Sequence, residues 1–130
     1  MGTVISIDVR DPGIPESVVD AMLARLAEIE DRFSTYRSGS EVSRIARGEL
    51  AEADASAEVR FILGMCDDLH RTTDGWFDAR GHRADGRLDP SGIVKGWAVE
   101  EAAVLLDEAG ARNYSCNCGG DVIARGEPEP

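Results

Sequence analysis

The chain has 130 residues, 42% of them hydrophobic and 30% charged, the make-up of one ordinary globular domain. A formal net charge of −11 repels phosphate backbones and anionic lipid; this argues against nucleic acid and membrane surfaces as partners but leaves room for a small anion in a locally compensated pocket. No apolar run approaches the roughly 20 residues that span a bilayer, and the opening MGTVISIDVR has no basic-then-apolar leader, so neither membrane insertion nor a signal peptide is expected.

Residues 3–9, TVISIDV, set Ile5, Ile7 and Val9 against Val4, Ser6 and Asp8, the period of a strand with one apolar face. RDPG then turns the chain. From Pro15 to about Phe33, the apolar residues Val18, Val19, Met22, Leu23, Leu26, Ile29 and Phe33 fall on one helical stripe. Pro15 suits the first turn, and Glu16 suits the positive end of the helix dipole. STYR at 34–37 breaks the pattern. Ser38, with Glu41 three residues on, predicts a capping box that opens a second helix. Val42 and Ile45 give that helix a short apolar face, and Gly48 ends it.

A third helix is predicted over about Ser56 to Thr73, with Val59, Ile62, Leu63, Cys66 and Leu69 on one side. The Gly-, Asp- and Arg-rich run that follows reads as a loop with a short strand near Phe77. A fourth helix runs from Ser91 or Gly92 to Ala109 and stops at Gly110. Residues 111–125 read as a strand, a Gly-Gly turn and a second strand, a hairpin.

This order predicts an α+β fold, a mixed sheet with helices packed on it, in a single domain over 1–130. Three strands make a thin sheet, whose edges call for further strands or a partner. Three cysteines, an odd number, argue against a disulfide framework. On a strand, Cys116 and Cys118 share a face, as small core residues or as a metal or redox pair. His70 and His82 have no metal-ligand spacing to them and read as solvated or turn residues.

The stretch LDPSGIVKGWAVEEA at 88–102 is the most informative. Pro90 pre-sets a turn, and Asp89 or Ser91 can cap the helix start. The first-turn amides have no intrahelical partners, and Gly92 leaves them uncovered, a natural place for a phosphate. Lys95, one turn in, can return its ammonium to the same anion. Gly96 allows a backbone or a flat ligand to approach. The alternative is a plain capped helix with a close helix–sheet contact at Gly96. Neither a Walker motif nor GxGxxG is present.

Five blocks in order, MGT at 1–3, FSTYRSGSEVSRI at 33–45, TDGWFD at 73–78, LDPSGIVKGWAVEEA at 88–102 and NCGGDVIARG at 117–126, cover nearly the whole chain. In these blocks it resembles the ApbE-type flavin transferases (FAD:protein FMN transferases). The resemblance implies a T-fold-like ApbE domain, of which this chain is the N-terminal portion, incomplete without a C-terminal half. It implies FAD as substrate, Mg²⁺ as cofactor, and transfer of FMN to a Ser or Thr hydroxyl of an acceptor protein with release of AMP. A FAD-binding module, or a pyrophosphatase that splits FAD into FMN and AMP, stands as the alternative.

By resemblance, Met1, Tyr36, Phe77, Asp78, Ala79, Asp89, Lys95, Gly119 and Gly120 match FAD-binding positions, and the Gly92 carbonyl matches a Mg²⁺ ligand. No residue here matches a catalytic position of the family. Met1 is as well read as a chain start, Tyr36 as a packing residue, Asp78 as a turn cap and Gly119–Gly120 as a hairpin turn. Arg80, Arg83 and Arg87 read as a solvated loop or, alternatively, as contacts for the adenosine phosphate. The connection between Asp78 and Asp89 is short for the family, and Glu100 stands where Asp is usual. The resemblance also leaves room for a second chain completing the fold. Reduced cysteines point to the cytoplasm, and a trimmed leader would point to export or membrane association.

Overall fold

A computed structural model describes residues 4–81 and 85–127. Met1, His82 and Arg83 lie outside the described residues. The elements are β1 (Ile5–Val9), α1 (Glu16–Phe33), α2 (Glu41–Ala46), a 3-10 turn (Glu52–Asp54), α3 (Ala57–Thr72), α4 (Ser91–Glu108), β2 (Tyr114–Cys118) and β3 (Asp121–Arg125). The class is α+β, as the periodicities imply. The chain forms two compact units, residues 1–28 with 95–130, and residues 29–94.

The first unit holds an antiparallel sheet in the order β1-β2-β3. Ile7 pairs with Cys116, which pairs in turn with Ile123. Alternation puts Tyr114, Cys116 and Cys118 on one buried face. Ile5, Ile7, Cys116 and Cys118 share a small apolar gap with Met22 and Leu26 of α1 and with Val99 and Ala102 of α4. Both helices therefore cover that face. The β2–β3 turn is two residues long, with Gly119 at φ 59° and Gly120 at φ 102°. These are the left-handed conformations a tight hairpin needs, and glycine adopts them without strain. The cysteines serve as core residues: all three are free and buried. Burial raises the pKa of each thiol, that of Cys66 to about 11, so thiolate chemistry is suppressed near neutral pH.

Asp11 ties the ends of this unit together. Its Oδ2 accepts the backbone N–H groups of Asn113 (2.6 Å) and Arg112 (2.7 Å), and its Oδ1 accepts the Asn113 side-chain amide (3.0 Å). The Asn113 amide first, then that of Arg112, holds its carboxyl below the usual carboxylate range. Folding therefore favours the ionised form. Its stabilisation is present above the unfolded carboxylate pKa, about 4, and is lost as the pH falls through the lower folded value. Asp11→Asn is expected to lower Tm near neutral pH, with the difference from the parent narrowing below about pH 4. Thermal melts across that range check this, and a pH-independent difference would contradict it.

In the second unit, α3 buries Val59, Ile62, Leu63 and Cys66. Ser56 caps it, its side chain accepting from the Val59 N–H. Two apolar residues fall outside the expected stripes: Leu23 of α1 and Leu69 of α3 are exposed. Leu23 lies one residue past Met22, about 100° round the helix, and Leu69 sits in the last turn of α3. The capping box expected at Ser38 does not form; a simple serine cap forms two residues on instead. α2 starts at Glu41, so the cap falls on Ser40, whose side chain accepts from the Ser43 N–H. Glu41 does not reach back to its own cap but accepts the Ser56 N–H at 2.6 Å. No strand forms near Phe77 among the described residues. The chain there turns sharply instead, through Asp74 at φ 51° and Gly75 at φ 82°.

Candidate functional site

In the second unit, the expected site residues gather around the loop after α3. Thr73 closes the helix: its N–H and its hydroxyl both donate to the Leu69 carbonyl, and its Oγ1 accepts the Phe77 N–H at 2.9 Å. The left-handed pair Asp74–Gly75 then brings the chain back beside His70. The Gly75 N–H donates to the His70 carbonyl at 2.8 Å. The His70 ring answers, with Nδ1 3.1 Å from the Phe77 carbonyl. Asp78 does cap a turn, its Oδ1 accepting the Arg80 and Gly81 N–H groups at 2.8 and 3.0 Å.

Ala79 is buried, and its carbonyl accepts the Asp89 N–H at 2.7 Å. This bond joins the GWFDA and LDPSG segments. The Asp89 carboxylate in turn accepts the Ser91 N–H (3.1 Å) and hydroxyl (2.5 Å), so of the two expected residues it is Asp89 that satisfies the first amide of α4, from an Asx turn ahead of the helix. A Cβ placed on Gly92 would lie 3.1 Å from the Phe77 ring. Phe77, Asp78, Ala79, Asp89 and Gly92 are thus one cluster, held by backbone bonds and one ring-to-backbone contact. Tyr36 is 89% exposed and lines an open cavity of about 150 Å³ together with Ser43, Arg87 and Leu88. That volume is below the roughly 300 Å³ of a typical small-molecule pocket.

In the first unit, Lys95 Nζ lies 3.3 Å from Asp121 Oδ2, beside the Gly119–Gly120 turn. Gly120 donates its N–H to Asn117 Oδ1 at 3.0 Å, and a Cβ on Gly120 would meet no atom within 4 Å. Among the described residues, the turn is therefore open at Gly120. Gly96 is open in the same way, with nothing among the described residues within 4 Å of a Cβ there. This overturns the close helix–sheet contact expected at that position. Met1, the remaining site candidate, lies outside the described residues.

The arginine loop is not simply solvated. Arg80 bonds Glu52 at 2.6 and 3.1 Å and reaches Asp67 at 3.4 Å. It holds the Glu52 carboxyl below its ordinary range, and its own charge is committed to these carboxylates rather than open to a phosphate. Arg87 pairs with Asp85 at 3.8 Å.

Three features escaped the pattern reading. Ser34, Ser40 and Ser43 are buried and bonded to one another's main chain. His70 is not a bystander but braces the loop. Trp76, 86% exposed within the candidate loop, has the largest uncovered ring of that segment. The run of closely spaced serines was the visible signal for the first; nothing in the spacing marked the other two.

Among the described residues no three His, Cys, Asp or Glu side chains come together to hold a metal. Gly92 offers one backbone oxygen, which does not by itself make the octahedral oxygen shell of Mg²⁺. The described side chains therefore do not fit a Mg²⁺ site of their own. No helix among the described residues is long and apolar enough to cross a membrane.

No curated protein matches the chain. Among solved structures, the flavin transferase ApbE from Vibrio cholerae superposes with a TM-score of 0.85 at 21% identity, over 98% of this chain and 57% of that one. The apo Pseudomonas stutzeri flavinyl transferase ApbE gives 0.79 at 20% identity, over 98% and 58%. The chain thus shares their fold and spans little more than half their length. The ApbE family model matches residues 1–82 and 79–130. Its two matches overlap at 79–82. With matches running from end to end, the chain belongs to the ApbE family.

Proposed function

We propose that the chain binds FAD and supplies the flavin-nucleotide contacts of an FAD:protein FMN transferase. The observation that carries this is the Ala79–Asp89 bond with Phe77 against Gly92, which assembles the GWFDA and DPSG segments into one cluster, open at Gly92. Phe77 and Tyr36 offer aromatic surface to a flat ring system. Lys95 offers an ammonium to the pyrophosphate, and the Gly119–Gly120 turn is bare enough for a ligand to come close.

In the transfer reaction, the acceptor hydroxyl oxygen forms a bond to the FMN phosphorus of FAD. The bond from that phosphorus to the bridging oxygen breaks, and AMP leaves with the bridging oxygen. The hydroxyl proton goes to a base that none of the described residues is assigned to be. Positioning and charge stabilisation are what this chain's residues contribute. Mg²⁺ belongs to the expectation for the whole enzyme, and no step here is assigned to it.

A second reading, a FAD-binding module without chemistry, is favoured by one observation: the described residues include no cluster able to hold a metal. Titrating the chain into FAD while following flavin fluorescence tests the shared premise, and unchanged fluorescence with no retained flavin would sink both readings. Adding Mg²⁺ and an acceptor protein separates them. FMN on the acceptor together with AMP supports the transferase, AMP with FMN in solution supports the pyrophosphatase, and bound FAD left intact supports the module.

A further inference from the structure

We propose that His70 is a positioning residue for flavin binding, a brace that fixes the 73–79 segment in its binding conformation; the proposal rests on the flavin reading above. His70 lies in the last turn of α3, seven residues before the carbonyl it touches. The Phe77 carbonyl can only accept, so Nδ1 carries the hydrogen in this bond. The contact is reciprocal, because the loop's Gly75 N–H returns to the His70 carbonyl at 2.8 Å. Gly75 also lies against the ring, where an added Cβ would sit 3.5 Å from Cε1. Asp78 Oδ1 is 3.8 Å from Nδ1 on the same side.

Two bonds and the close approach of Gly75 to the imidazole thus close a ring from α3 through the left-handed turn to Phe77. What they fix matters to the site. Phe77 presses on Gly92, and two residues on, the Ala79 carbonyl holds Asp89. If Phe77 shifts, the start of α4 loses the ring that packs on it. His70 acts on the ligand only through Phe77.

The side chain that best mimics Nδ1 is asparagine, whose Nδ2 is likewise attached to Cγ. Glutamine carries its amide one carbon further out and mimics Nε2. The experiment compares the parent chain with His70→Ala, His70→Asn and His70→Gln. It reads amide hydrogen exchange of Trp76 and Phe77 without ligand, FAD affinity by flavin fluorescence, and Tm. Expected is faster loop exchange and about twofold to tenfold weaker FAD binding in H70A and H70Q, both restored in H70N, with Tm nearly constant. Unchanged exchange in H70A would overturn the brace. Faster exchange with unchanged FAD affinity would overturn its part in binding. Recovery by Gln rather than Asn would point to bulk instead of the Nδ1 bond and would also overturn the proposal. If the parent itself bound no FAD, the flavin reading and with it the binding role would fall, while the exchange data would still decide whether His70 holds the loop.

Discussion

Replacing Lys95 by alanine is expected to weaken FAD binding by about tenfold to hundredfold, the size of a lost charge-assisted hydrogen bond of about 1.5–3 kcal/mol. Lys95 is the only lysine in a chain with thirteen arginines. Every other basic position carries a planar guanidinium suited to forked pairing, and only here is there a compact, strongly solvated ammonium. The net charge of −11 makes that cation matter more, since an anionic pyrophosphate meets a repulsive background without it. In the structure Lys95 is held by Asp121 at 3.3 Å. The pair is partly exposed, and such pairs contribute at most about 1 kcal/mol to stability. Lys95→Ala should therefore leave the urea midpoint nearly unchanged while the affinity falls. Asp121→Asn separates the two functions of the lysine: it removes the internal partner and keeps the ammonium, so it should preserve affinity or raise it. Equal FAD affinity for the parent and Lys95→Ala, read by fluorescence titration at matched ionic strength, would remove Lys95 from the site.

The fold was legible wherever one short-range rule governed it. Steps of three and four placed α1 and α3, start and stop residues placed α4, and alternation placed β1. Gly119–Gly120 marked a two-residue turn because few other dipeptides take left-handed angles twice in succession. Legibility ended where a side chain chose among partners distant in sequence. Arg80 reads as a loop cation because nothing nearby pairs with it; Glu52 is 28 residues back and Asp67 is 13. His70 meets Phe77 only because Asp74, a non-glycine, adopts a positive φ, which no spacing rule signals. Gly96 shows the opposite limit. A glycine predicts that something comes close, but nothing among the described residues does. Of the candidate site, the sequence marked the segments, and the Ala79–Asp89 and Phe77–Gly92 contacts show why two of them lie together.

Ser40 illustrates that limit most sharply, because Ser38, Ser40 and Ser43 are all plausible caps by composition. Only the structure separates them. Ser38 is exposed, whereas Ser40 is buried. The Ser40 hydroxyl donates to the Ser34 carbonyl at 2.5 Å while its oxygen accepts the Ser43 N–H at 3.1 Å. Ser43 donates to the same carbonyl at 3.0 Å, and the Ser34 hydroxyl accepts the N–H groups of Tyr36 and Arg37 at 3.2 Å each. The three serines therefore shape the turn that carries Tyr36. Ser40→Ala leaves a buried N–H without its acceptor, and such a group costs about 1–3 kcal/mol, within which the lost helix cap is one part. The expected result is a lower urea midpoint with an unchanged m-value. Among the described residues, Ser38→Ala removes no hydroxyl contact: the Ser38 atom that bonds is its carbonyl, which accepts from Arg47 at 2.6 Å and survives the change. Its effect should stay within about 0.5 kcal/mol. If Ser38→Ala cost as much as Ser40→Ala, the cap would belong at the position that spacing alone suggests. If neither mattered, the serine network would not be what holds Tyr36 in place.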